Sequence, residues 1–142
     1  MTSYNDTIAV SGGFDPIHPG HVRMINAAAA YGRVIVILNS DDWLYRKKGY
    51  VFMSFNERRE ILESLGSVYR VEAVNDADNS VCEALRRLKP MMFGNGGDRT
   101  PTNTPEQELC NKLDIELIWK LGRGGKIQSS SELVENAGLN KL

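Results

Sequence analysis

Val34-Ile35-Val36-Ile37-Leu38 is an unbroken apolar run made almost wholly of β-branched residues. It has no polar face to give to water. It therefore fits a strand covered on both sides, as in the parallel sheets of α/β folds. Further strand-like segments occur at Thr7–Val10, Tyr69–Val74, Met91–Phe93 and Ile115–Trp119. Helical signals lie between them. Pro19–Ala30 places Val22, Ile25 and Ala29 on one face. Ser54-Phe55-Asn56-Glu57 is a capping box that starts a helix carrying Ile61, Leu62 and Leu65. Ser80–Leu88 is a helix stopped before Pro90, and Thr104-Pro105-Glu106-Gln107 opens another with proline at its first position. Ser129–Ala137 reads as a short final helix. Five strands alternating with helices predict a Rossmann-like three-layer sandwich: a five-stranded parallel sheet with right-handed crossovers, and residues 1–142 as one domain.

The 142 residues suffice for one core. Seventeen Lys and Arg stand against eighteen Asp and Glu, a net charge of -1. Such a chain has no general attraction for nucleic acid or an anionic membrane, so any polyanion must be met by a local basic cluster. No apolar run approaches the roughly 20 residues of a membrane span. Met1–Asp6 lacks the charged and apolar regions of a signal peptide. Cys82 and Cys110 form no C-x-x-C and read as buried thiols of a reducing compartment. The expectation is a cytoplasmic protein with neither nucleic acid nor membrane as partner.

In parallel sheets ligands bind beyond the carboxyl ends of the strands. The first strand is followed by Gly12-Gly13-Phe14-Asp15-Pro16-Ile17-His18-Pro19-Gly20-His21. Glycines let backbone approach a phosphate, and a new helix offers free N–H groups to an anion. With a helix beginning near Pro19, His18 stands at its threshold and His21 in its first turn. Both can then address one phosphate, with Gly20 leaving space for it. A zinc site normally needs three or four ligands, and the chain has no third histidine. The second strand is followed by Asn39-Ser40-Asp41-Asp42 and then Arg46-Lys47-Lys48-Gly49, the densest basic stretch of the chain. It reads either as a solvated loop or as a mobile clamp over a triphosphate. Arg58 and Arg59 open a helix, where a cation gains nothing from the dipole, which points to an anionic ligand. Gly94-Asn95-Gly96-Gly97-Asp98 repeats the glycine pattern after the fourth strand. Arg123, Lys126 and Ser129-Ser130-Ser131 follow the fifth, where the serines can cap a helix whose amides face an anion.

Taken together, these motifs resemble those of the cytidylyltransferase-like nucleotidyltransferases, the H-x-G-H family that includes glycerol-3-phosphate cytidylyltransferase and the adenylyltransferase domain that makes ADP-heptose. The likeness runs from about Ile8 to about Val134. His18-Pro19-Gly20-His21 stands as the H-x-G-H. Asn39-Ser40-Asp41 through Arg46-Lys47-Lys48-Gly49 is similar to the heptose-type N-S-D-x4-R-x-K-G. Arg58 matches the arginine that opens a helix, Gly96-Gly97-Asp98 the G-G-D, and Ser129–Ser131 the triplet of I-S-S-T.

The resemblance implies transfer of CMP or AMP from CTP or ATP to a phosphorylated alcohol or sugar, with release of pyrophosphate. His18, His21, Lys48 and Arg123 would be catalytic. Gly12, Gly13, Phe14, Asp15, Gly20, Arg46, Gly96, Gly97, Asp98 and Ser129–Ser131 would bind the nucleotide, and Asp41 and Arg58 the acceptor. Mg²⁺ would be held mainly by the phosphates, with Asp15 reaching it through water. A homodimer or higher homo-oligomer is expected. A nicotinamide dehydrogenase needs G-x-G-x-x-G after the first strand, and this spacing fails. An aminoacyl-tRNA synthetase shares the H-x-G-H, but 142 residues leave no room for tRNA-binding parts. The remaining alternative is a nucleotide-binding module without catalysis.

Overall fold

The computed structural model describes residues 4–96 and 103–122, with side chains from Asp6 onward. The chain runs β1 (Tyr4–Gly12), α1 (Pro19–Ala29), β2 (Arg33–Leu38), α2 (Asp41–Lys48), α3 (Phe55–Glu63), β3 (Val68–Ala73), α4 (Cys82–Leu88), β4 (Pro90–Gly96), α5 (Pro105–Leu113) and β5 (Glu116–Leu121). The sheet order is β3-β2-β1-β4-β5, and every neighbouring pair is parallel. The chain winds outward from β1 through β2 to β3. It then returns to the other side of β1 for β4 and β5. The order reverses between β1 and β4, so the crevice that such sheets offer to ligands opens beyond Gly12 and Gly96.

The continuous apolar run is explained by the two cores. Val34, Val36 and Leu38 face one core with Ile8, Val10, Ile25 of α1 and Leu62 of α3. Ile35 and Ile37 face the other with Ala9, Phe93, Leu85 of α4 and Cys110 of α5. Ile35 and Ile37 are wholly buried, and each such side chain contributes roughly 1.5–3 kcal/mol by leaving water. Helices on both faces complete the three layers expected from the sequence. Both cysteines are free and buried. Burial, then the neighbouring Cys82 and Glu106, push the Cys110 thiol up to about 12, so it remains a thiol at physiological pH.

One expectation about the architecture is corrected. Arg46–Lys48 is not a mobile loop but the last turn of α2. Ser40 Oγ accepts from the Trp43 N–H at 3.0 Å and caps the start. Gly49 closes the end at φ 83, a left-handed conformation that glycine adopts without strain, and donates to Tyr45 O at 2.8 Å. Asp41 and Asp42 sit in the first turn and Arg46, Lys47 and Lys48 in the last, each sign where the helix dipole favours it. The basic cluster is thus partly a helix-stabilising pattern. The expected Ser129–Ala137 helix lies outside the described residues. Among the described residues no helix is long and apolar enough to cross a membrane.

Candidate active site

The segment from Gly12 to His21 leaves β1 and enters α1 in a tightly determined path. Its helix start is capped by the two histidines themselves. His18 is the N-cap residue in extended conformation, and His21 is the third helical residue. The Gly20 N–H donates to His18 Nδ1 at 3.1 Å, and the His18 N–H donates to His21 Nδ1 at 3.2 Å. Imidazoles here do what Ser and Glu do in an ordinary capping box. The rings stack, with centroids 3.7 Å apart and planes 24° from parallel.

A ring nitrogen that accepts a hydrogen bond carries no proton. Each neutral imidazole therefore holds its proton on Nε2, on the far side of the ring from the backbone amide it caps. The pair presents two N–H donors at the start of a helix, where the helix dipole adds positive potential. A second positive charge is unwelcome in such a place. Burial, and then the nearby His18, pull His21 down to about 3. An unfolded chain protonates this histidine near 6.5. Between roughly pH 6.5 and 3 the unfolded state therefore binds more protons, and stability falls as pH falls; above that window it is level. Urea midpoints measured at pH 7.5, 5.5 and 4.5 are expected to fall more steeply for the wild type than for His21→Asn.

Against Gly20, where space for a phosphate was expected, lies a ring of the protein itself. A Cβ at position 20 would lie 2.9 Å from His18 Cε1 and 3.1 Å from its Nδ1. Gly20→Ala is expected to turn the His18 ring off its cap and to lower kcat by about tenfold or more, the scale of effect that small misplacements of reacting groups produce. A turnover assay with the circular dichroism of the variant checks this. Gly13 serves packing in the same way: a Cβ there would meet Leu44 Cδ2 of α2 at 2.6 Å.

Around this pair the structure assembles other residues singled out in the sequence. Asp15 is 1% exposed. Its Oδ1 accepts from the Met53 N–H at 2.6 Å, and its Oδ2 accepts from the Phe52 N–H at 2.8 Å and from Lys48 Nζ at 3.3 Å. Lys48 Nζ also donates to Asp15 O at 2.7 Å. The carboxylate expected to approach a metal through water is thus engaged with the turn before α3 and with Lys48. Arg58 has no exposed surface. It donates to Met53 O, Gly13 O, Asn39 O and Asp41 Oδ1 at 2.7–2.9 Å. The two residues expected to hold an acceptor, Asp41 and Arg58, are paired with each other. The cation at the helix start has its partners inside the protein. Arg46 turns to the loop after β3, donating to Asp76 O at 2.7 Å and Asn79 Oδ1 at 3.1 Å.

Asp76 was not singled out in the sequence. It accepts from Asn39 Nδ2, Ser40 N and Ser40 Oγ at 2.7–3.0 Å and so fixes the end of β2 and the start of α2. An acidic residue shortly after a strand was its only signal. Gly96 ends β4 on the opposite side of the switch point, against Met24 of α1. Gly97, Asp98, Arg123 and Ser129–Ser131 lie outside the described residues.

A family model matches most of the chain. It is described as cytidylyltransferase-like and covers residues 9–135. The chain belongs to the cytidylyltransferase-like family. The bifunctional protein HldE of Hyphomonas neptunium is 39% identical over 111 residues, which are 76% of this chain and 22% of that protein. The same-named protein of Rhodopseudomonas palustris strain BisA53 is 41% identical over 113 residues, 76% of this chain and 23% of that one. The chain thus matches less than a quarter of the length of these relatives. The crystal structure of the lipopolysaccharide core biosynthesis protein from Thermoplasma volcanium shares the fold, with a TM-score of 0.66 and 21% identity over 80% of this chain and 94% of that one.

Proposed function

We propose that this cytidylyltransferase-like chain transfers AMP or CMP from ATP or CTP to the phosphate of a phosphorylated sugar or alcohol, releasing pyrophosphate. The supporting observation is the pair of stacked imidazoles whose Nδ1 atoms are tied to backbone amides, which puts the proton of each neutral ring on Nε2. An acceptor phosphate oxygen attacks the α-phosphorus, the bond to the bridging oxygen breaks, and its electrons leave with pyrophosphate. The acceptor phosphate has its second pKa near 6 and is largely dianionic at neutral pH, so no general base is needed. What the reaction demands is alignment and stabilisation of charge on the phosphoryl oxygens. Neutral Nε2–H donors supply that without having to gain or lose a proton.

Mg²⁺ would arrive with the triphosphate and neutralise part of its charge. With the Asp15 oxygens engaged by two amides and Lys48, the phosphates fit better than this carboxylate as its holders. Lys48 exchanges Asp15 for a phosphate oxygen when nucleotide binds. Lys48→Ala is then expected to raise the nucleotide KM and lower kcat together, read from initial rates; unchanged kinetics would return α2 to a purely structural role. The heptose-type pattern around Asn39–Gly49 favours a sugar phosphate as acceptor. The same reading makes the protein a cytoplasmic homodimer or higher homo-oligomer.

The test is a pyrophosphate-release panel of the four nucleoside triphosphates against several sugar and alcohol phosphates, with Mg²⁺. Release with ATP or CTP and one acceptor class is expected. Tight nucleotide binding without release from any pair would favour the non-catalytic module instead.

A further inference from the structure

Phe14 carries a bulky ring on a left-handed backbone, φ 51, a conformation that side chains with a β-carbon rarely adopt. Its ring is 2% exposed, so it offers almost no surface to a base or ribose. It lies instead between the core of Ile8, Val10 and Ile25 and the His21 imidazole. The Phe14 and His21 centroids are 4.7 Å apart and the planes are inclined by 60°, a tilted arrangement favourable for aromatic pairs. Gly12 makes room for it: a Cβ there would approach Phe14 Cε2 to 3.2 Å.

Among the described residues the His21 ring makes one hydrogen bond. The 3.2 Å bond to Nδ1 fixes a point, not a plane. Stacking on His18 constrains the tilt in one direction. A second ring contact from a residue locked in the core removes the remaining pivot. We infer that Phe14 is a positioning residue for His21, holding the imidazole in the plane that aims its Nε2–H into the nucleotide crevice. This deepens the proposed function and rests on His21 meeting a phosphate there.

The experiment is a double-mutant cycle joined to NMR of histidine-labelled protein, with Phe14→Leu as the variant and Phe14→Met as the alternative should the first fail to fold. The chain has only two histidines, so the ring nitrogens are readily assigned with His21→Ala. Phe14→Leu is expected to lower kcat by about tenfold with the nucleotide KM within about twofold. In the His21→Ala background the same change is expected to cost less than about twofold, because the residue it acts through is gone. The His21 nitrogen shifts of the free protein should move from a single Nε2–H tautomer toward an averaged one. An equal loss in both backgrounds, or a changed KM at constant kcat, would mark a structural or direct nucleotide contact and overturn the inference. So would His21 ring signals unchanged by the substitution. The NMR arm needs no substrate, so failure to find any turnover bears on the proposed reaction, while the shifts still decide the Phe14–His21 relation.

Discussion

His21→Ala is expected to cut turnover by about 100-fold. One preorganised donor to developing charge is worth about 3 kcal/mol in the transition state. The same substitution removes the acceptor for the His18 N–H, one half of the reciprocal cap of α1. Loss of a cap costs about 0.5–2 kcal/mol. A fall of a few degrees in Tm is therefore expected. The two effects separate by size: the rate loss far exceeds what partial unfolding at assay temperature can explain. His21→Asn keeps a short polar side chain, and is expected to recover more of the Tm than of the turnover. Steady-state kinetics and thermal melts on the two variants check both statements. Near-full turnover in His21→Ala would remove the central role given to this ring.

The largest stability effect is expected at Arg58. Arg58→Ala strips the donor from three backbone carbonyls drawn from the ends of β1 and β2 and from the turn before α3. It also leaves Asp41 without its guanidinium partner. The Asp41 side chain is 45% exposed and can turn to water, so the cost lies in the three carbonyls that lose their donor, about 1–3 kcal/mol each. For a chain of this size that corresponds to a Tm lower by roughly 10–20 °C. Arg58→Lys retains the charge but not the planar fork, so it is expected to restore only a minor part of the loss. Thermal melts of the two variants against wild type check this. An Arg58→Ala protein with unchanged Tm would contradict the reading of Arg58 as the knot of the three loops.

Strand β2 was legible because Val34–Leu38 is apolar on both faces, the pattern that helices covering a parallel sheet demand, whereas the edge strand β3 carries Arg70 and Glu72 and shows no such run. Helix α3 was legible from its cap, since Ser54 and Glu57 exchange hydrogen bonds as their spacing promises. Helix α2 was missed because Asp41–Lys48 is mostly polar and reads as a charge run. Its boundary signals are Ser40 before two aspartates and Gly49 after two lysines. The H-x-G-H spacing correctly placed His18 and His21 at the head of α1. It did not reveal that they cap the helix and each other, because the direction of an imidazole is not written in spacing. Arg58 stood out as a cation in the wrong place, yet its partners Gly13 and Asn39 lie 45 and 19 residues away and meet it only in the fold. Phe14 was expected to bind the nucleotide, and its burial against His21 becomes visible only in the fold.

The most direct measurement is a crystal structure with Mg²⁺ and a non-hydrolysable ATP or CTP analogue. The expected result is triphosphate oxygens within about 2.7–3.2 Å of Nε2 of both His18 and His21. A triphosphate bound elsewhere on the sheet, with both Nε2 atoms beyond hydrogen-bonding reach, would contradict the account.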